Sequence, residues 1–279
     1  MWILFISLYI ISAIIFTQFY KVTTKTHKSD GALSALLQFI AGISALLLIP
    51  FFSFKFSADW KVYLLLGIAC IFYAITERLY TTVRSGIEAS TFSIIEQLST
   101  VVLIVAGLLF LKEPFILKEI IGASLIIFSN IIVFYKNGQK FNKYVVLGVI
   151  ANLCFSVALF ICINISVHFN LPLYVAATLL IPALFILMAE RIRISSLIKE
   201  FEFGNKKAIL VTGLLWGFTI VMSLRAYQLG NVTIIAPLSA LTVIGNVIVG
   251  YIFLKERSNL LKKIIAALLI IISVILINT

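Results

Sequence analysis

The chain has 279 residues, 62% of them hydrophobic and 12% charged, with a mean hydropathy of +1.16. A soluble domain is nearer half apolar and a quarter charged, so a soluble enzyme or binding domain is excluded and an integral membrane protein remains. The net charge of +11 would point to nucleic acid on a soluble protein. Here Lys and Arg collect between apolar runs, as membrane topology requires, and no segment that could hold nucleic acid is left over.

Apolar runs of helical length recur along the whole chain, so the elements read as helices, not as the weakly alternating strands of an outer-membrane barrel. The spacing predicts ten spans, at roughly 2–20, 31–52, 62–82, 88–111, 118–135, 144–165, 171–189, 208–228, 231–254 and 261–277. The first, MWILFISLYIISAIIFTQFY, lacks a charged leader and a small-residue cleavage site, and is expected to be a retained span, not a signal peptide. The connections are short and polar. The longest, ERIRISSLIKEFEFGNKK, has room for an interfacial amphipathic turn. Trp2, Trp60, Tyr80, Tyr135, Tyr144 and Tyr251 fall near span ends, where amphipathic rings sit at the headgroup level. Cys70, Cys154 and Cys162 lie within spans and read as small apolar packing residues.

In the third span Glu77, Tyr80, Thr81 and Arg84 share a face. They would line a cavity mouth on one reading. The preferred reading is an interfacial ion pair, with Arg78 and Arg84 snorkelling to headgroups. Arg225, at the matching end of the eighth span, is read in the same way.

The fourth span carries the strongest candidate. In EASTFSIIEQLSTVVLIVAGLLFLKE (88–113), Ser93, Glu96, Gln97 and Thr100 are spaced i, i+3, i+4 and i+7, which is one face of a helix. A central acid costs roughly 2.5–3.5 kcal/mol in a bilayer, so this face must turn toward protein or a wet cavity. Glu96 is read as a proton-coupling site or a counter-charge for an amine. The bland alternative is a hydrogen-bonded acid locking two helices together. Gln97 and Ser93 share its face, either as site residues or as interhelical ties. In the second half Ser239, Thr242 and Asn246 form the counterpart face, and Pro237 can kink the ninth span. Asn152 and Ser156 on the sixth span and Trp216 on the eighth are further cavity candidates. The binding residues expected are thus Glu96, Gln97, Ser93, Asn152, Trp216, Ser239 and Asn246.

The chain repeats itself. GLLFLKEPFILKEIIGASLIIFSNIIV (107–133) lies over GYIFLKERSNLLKKIIAALLIIISVIL (250–276) without a gap. Apolar matches are cheap in a membrane protein, but the shared FLKE puts Lys112–Glu113 and Lys255–Glu256 in one register. Both pairs are read as loop-end structure. Ten spans then divide into 1–139 and 140–279. Five spans per half force the halves into opposite orientations, the inverted repeat of many transporters.

Ten spans, the five-plus-five repeat, a Lys-Glu pair closing the fourth span of each half and an aliphatic fifth span (IIGASLII, IIAALLII) resemble the drug/metabolite transporter superfamily, and within it the EamA-like group. The resemblance covers the whole chain and departs from the family at two points. Gln38 stands where members often carry an arginine, and the first half lacks the proline that the second half keeps at Pro237. It implies an all-helical secondary transporter, acting as an exporter of a small organic metabolite or drug across the bacterial inner membrane. The alternative is a flippase or membrane-embedded protein handling a lipid-linked headgroup. The expected partners are a small-molecule substrate and the lipid bilayer, with no nucleic acid, in a monomer or homodimer. His27, His168, Asp30 and Asp59 lie in loops, and no metal cluster, catalytic set or phosphate loop is evident. Neither an enzyme, a cofactor nor a metal site is therefore expected. Loop charge favours cytoplasmic odd-numbered loops and extracytoplasmic termini, while the resemblance implies the reverse.

Overall fold

The computed structural model describes residues 1–110, 117–134, 142–230, 235, 238–239 and 241–278. Within them the chain is helical, with no strand. The helices are α1 (Trp2–Thr23), α2 (Asp30–Leu46), α3 (Trp60–Gly86), α4 (Ala89–Glu96), α5 (Leu98–Phe110), α6 (Leu117–Phe134), α7 (Lys143–Ile165), α8 (Leu171–Ala189), α9 (Ile194–Phe203), α10 (Lys206–Leu229), α11 (Leu241–Phe253) and α12 (Leu260–Asn278). Five stretches are long and apolar enough to cross a bilayer: Trp2–Thr23, Trp60–Gly86, Lys143–His168, Leu171–Ala189 and Lys206–Leu229. The molecule is built as a multi-pass membrane protein.

Side chains set the helix starts. Ser29, Asp59, Asn142, Asn170 and Asn205 each accept a hydrogen bond from a backbone N–H of the first turn of α2, α3, α7, α8 and α10, satisfying donors that a helix start otherwise leaves open. The second apolar run stops sooner than its hydropathy suggests. Helix α2 ends at Leu46, and the chain passes into a 3₁₀ turn, Ile49–Phe51, because Pro50 lacks an N–H and restricts the residue before it. The long polar connection holds a full helix, α9, with Ile194 and Ile198 exposed and Leu197 and Glu200 buried.

Helix α1 packs on α10, α3 on α7 and α8, and α2 on α8 and α10. Further out, α6 packs on α12, α5 on α7, and α11 on both α1 and α4. Phe16, Tyr20, Leu33, Leu37, Tyr174 and Trp216 form the main core. Gly217 brings α10 against α2, where an added Cβ would strike the Ala41 carbonyl. Such close approach through small residues is how helices associate without a water-driven hydrophobic term. Outward faces stay apolar: Leu64, Ile68, Ile71 and Ile75 run down the exposed side of α3, a stripe suited to lipid.

The fourth apolar run is not one helix. It breaks at Gln97, between α4 and α5, so the expected continuous polar face of Ser93, Glu96, Gln97 and Thr100 is divided. Lys112–Glu113, Tyr135 and Pro237 lie outside the described residues.

Candidate functional site

A cavity of about 160 Å³ opens among α1, α3, the α4–α5 break, α7, α8, α10 and α11. Its walls follow from helical spacing. Helix α3 presents Tyr73, Glu77, Tyr80 and Arg84, and α10 presents Trp216, Ile220, Ser223 and Tyr227. Both sets are spaced i, i+4, i+7 and i+11, one face of a helix. Around the break stand Glu96, Ser99 and Leu103, and opposite them Ser239, Thr242 and Asn246. Each position is 143 residues from its counterpart, the offset that carries Glu113 onto Glu256. The cavity wall is thus lined at positions related by the sequence offset, although the residues there differ in chemistry.

Side chains satisfy the backbone at the turn that separates α4 from α5. Ser99 Oγ donates to the Glu96 carbonyl at 2.7 Å, and Asn152 Nδ2 donates to the Ile95 carbonyl at 2.9 Å. These side chains supply donors where the helical ladder is interrupted. The interruption puts both Glu96 and Gln97 in the lining, although neighbours on an intact helix point about 100° apart.

Of the residues singled out from sequence, Glu96, Gln97, Trp216, Ser239 and Asn246 line the cavity. Ser93 and Asn152 do not. Both are buried ties between helices. Asn246 Nδ2 donates to Ser93 Oγ at 2.7 Å, and Gln18 Nε2 donates to Asn246 Oδ1 at 3.0 Å, joining α1, α11 and α4. Asn152 holds α7 to the end of α4.

The interfacial reading of Glu77 and Arg84 is overturned, as is that of Tyr80. All three are buried and line the cavity. Arg84 is 5% exposed. Its Cζ lies over the rings of Phe92 (4.0 Å), Tyr20 (4.3 Å), Phe16 (5.2 Å) and Tyr80 (5.9 Å). Nη2 reaches Glu96 Oε1 at 3.4 Å, while Nε and Nη1 have no hydrogen-bond partner among the described residues. Lys21 Nζ fixes the backbone here, donating to the Arg84 carbonyl at 2.6 Å. Arg78 is the rim residue of the pair. It bonds Glu190 and stands 3.7 Å from Asp30. The missed signal was the spacing of Tyr73, Glu77, Tyr80 and Arg84 against Trp216, Ile220, Ser223 and Tyr227, upstream of the obvious repeat.

Two second-half carboxylates close the loop end of the bundle. Glu256 accepts from Ala89 N (2.7 Å), Ser90 N (3.1 Å) and Ser90 Oγ (2.5 Å) at the start of α4. Lys255, at φ 55°, turns the chain back so that Glu256 N reaches the Gly250 carbonyl. Lys263, 1% exposed, bonds Glu88 and donates to Ser90 Oγ at 2.8 Å. Glu200 accepts from Lys28 N (2.9 Å) and Ser29 N (3.2 Å) at the start of α2. Negative charge is favoured at both helix starts. Among the described residues no three His, Cys, Asp or Glu side chains gather as a metal site would need.

No protein-family model matches the chain, and no curated protein matches it in sequence. In fold it is similar to solved structures, with 25 matching chains. One, described only as "Crystal structure of protein", superposes with a TM-score of 0.63 over 97% of this chain and 95% of its own, at 14% identity. What that likeness carries is the fold alone.

Proposed function

We propose that the chain is a secondary transporter of the drug/metabolite transporter type, with ten spans in two inverted five-helix repeats, exporting a small organic metabolite or drug across a bacterial cytoplasmic membrane. The observation that carries this reading is the cavity whose wall recurs at the repeat offset, because transporters built from inverted repeats bind at the interface of the halves. Helix pairing supports the same symmetry. Count α4–α5 as the fourth element and set α9 aside. The first then packs on the eighth and the third on the sixth, and these two contacts exchange when the halves are exchanged. So do second-on-eighth and third-on-seventh, and first-on-ninth and fourth-on-sixth.

The composition of the cavity supports an organic solute. Tyr9, Phe16, Tyr73, Phe155 and Trp216 provide apolar ring surface, and a few polar groups converge between them, the usual make-up of a small-molecule site. Glu96 and Glu77 are intramembrane carboxylates, a costly feature kept where protons or charged solutes move. Transport is driven by an ion gradient or by the solute's own gradient.

Untargeted metabolite profiling of cells with and without the protein, inside and out, tests the reading. We expect one solute class to rise outside and fall inside when the protein is present. Unchanged distributions, with the protein shown to be in the membrane, would overturn it.

A further inference from the structure

Arg84 is unusual even for a cavity residue. A guanidinium carries five N–H donors in a planar fork and is always charged. Here it is 95% buried by residue exposure, yet its one side-chain hydrogen bond is the long contact of 3.4 Å to Glu96. Nε and Nη1, each of which shares a fork edge with Nη2, are buried and unpartnered among the described residues. The four rings around it stabilise the charge through their π faces, but rings offer no lone pair to a donor. A buried donor left without an acceptor costs about 1–3 kcal/mol, more on a charged group. Lys21 and Thr24 supply donors to the Arg84 carbonyl, but no acceptor among the described residues reaches Nε or Nη1.

We propose that Arg84 is the recognition point for a carboxylate on the transported solute, and that the solute's carboxylate displaces Glu96 from Nη2 and takes the edge that Nη2 forms with Nε or with Nη1. The solute class is a small organic acid with an apolar or aromatic body. Two parallel N–H···O bonds match a carboxylate in a way that no single-point acceptor does. The body would lie against Tyr80, Phe155 and Trp216, which line the same space. Glu96 holds the cation's charge in the empty site through one poorly placed contact, so it can yield to a better-placed anion. Among the described residues that line the cavity no second cation competes, and the position offset from Arg84 is Tyr227. The inference uses the transporter reading for the word solute, but binding at Arg84 is measured without any flux.

The test uses the full-length protein in nanodiscs and three probes of one shape: 3-phenylpropionate, its neutral amide, and 3-phenylpropylamine. Binding is followed by tryptophan fluorescence, since Trp216 lines the cavity. We expect the acid to bind at least 10-fold more tightly than the amide, with the amine weakest. Arg84→Gln should weaken the acid by about 10- to 100-fold, the range of a charge-assisted hydrogen bond, and leave the amide unchanged. Arg84→Lys should fall between. Glu96→Gln, which removes the competitor, should tighten the acid several-fold. The acid-to-amide ratio in the unmodified protein needs no variant to fold. Equal binding of acid and amide, preference for the amine, no binding of any probe, or an Arg84→Gln protein that binds the acid normally would each overturn the proposal. Failure of the transporter reading would appear differently, as acid binding at Arg84 with no solute moved in the profiling experiment.

Discussion

The two halves of the molecule place their charge in different regions. On the repeated cavity positions the first half carries Glu77, Arg84 and Glu96, where the second half carries Ile220, Tyr227 and Ser239. At the loop end the asymmetry reverses. Glu190, Glu200 and Glu256 come from the second half and tie down Arg78, the start of α2 and the start of α4, all in the first. Chemistry is therefore not matched at positions 143 residues apart: first-half residues charge the cavity, and second-half carboxylates fasten first-half helix starts. Charge inside the bundle must be useful to repay its desolvation, whereas charge at a helix start is stabilising in itself.

Exchanging residues across the repeat gives the largest effect. Glu96→Gln keeps shape and hydrogen bonding but removes a titratable charge. In vesicles with an imposed pH gradient it should lose concentrative transport by at least about 100-fold, the lower end for losing a group that handles protons, while still reaching the membrane and exchanging solute already on both sides. Ser239→Ala, at the equivalent neutral position, should change the rate less than about 3-fold, as for a lone neutral hydrogen bond. If both variants transported equally well, the division between a charged and a neutral wall would have no functional meaning.

The next effect concerns stability. Glu256→Ala removes three hydrogen bonds at the start of α4 and takes a carboxylate from 4.0 Å of the buried Lys263. Breaking a buried charged pair costs about 3–5 kcal/mol, and Glu88, still bonded to Lys263, holds the loss to about 3 kcal/mol. Glu200→Gln keeps an acceptor oxygen for only one of Lys28 N and Ser29 N, which bond different carboxylate oxygens, and should cost about 1 kcal/mol, a typical capping value. Thermal unfolding in detergent checks the order. A Glu200→Gln loss equal to that of Glu256→Ala would show that the two helix starts are fastened alike.

How far the sequence discloses these features depends on what each one rests on. Helix positions such as Leu171–Ala189 follow from apolar length and capping residues, both local. The break at Gln97 has no local mark, because IIEQLST contains no proline or glycine. Its partner there, Asn152, comes from another helix to the Ile95 carbonyl. Arg84 lies near the end of a long apolar run, where snorkelling is the ordinary reading. Its burial becomes visible only when rings from α1, α3 and α4 converge on it. Ser93 and Asn152, expected from the sequence as binding residues, stand outside the lining as ties between helices, because an inward polar face alone does not tell a tie from a lining residue.

The smallest effect lies at the loop end and concerns pH. His27 Nε2 stands 2.5 Å from Asp30 Oδ1, and Nδ1 stands 3.0 Å from the Thr24 carbonyl. Both contacts suit the imidazolium, in which both ring nitrogens donate. The hydrogen bond to Asp30 is the main reason that His27 holds its proton above its ordinary pKa of 6.5; burial opposes it, and Glu200 adds a smaller pull. Asp30 is also held by Thr82 Oγ1 at 2.6 Å and faces Arg78, so its position does not depend on the histidine. A pKa raised by folding means that the protonated pair stabilises the fold fully below about 6.5 and loses that contribution as pH rises through the folded value. Being partly exposed, the pair is worth less than about 1 kcal/mol. We expect the unfolding temperature to fall between pH 6 and pH 8 by slightly more in the unmodified protein than in His27→Gln. Identical slopes would mean that the rim charges act as fixed fasteners with no titrating member, and would sharpen their contrast with the cavity, where Glu96 is proposed to change its partner.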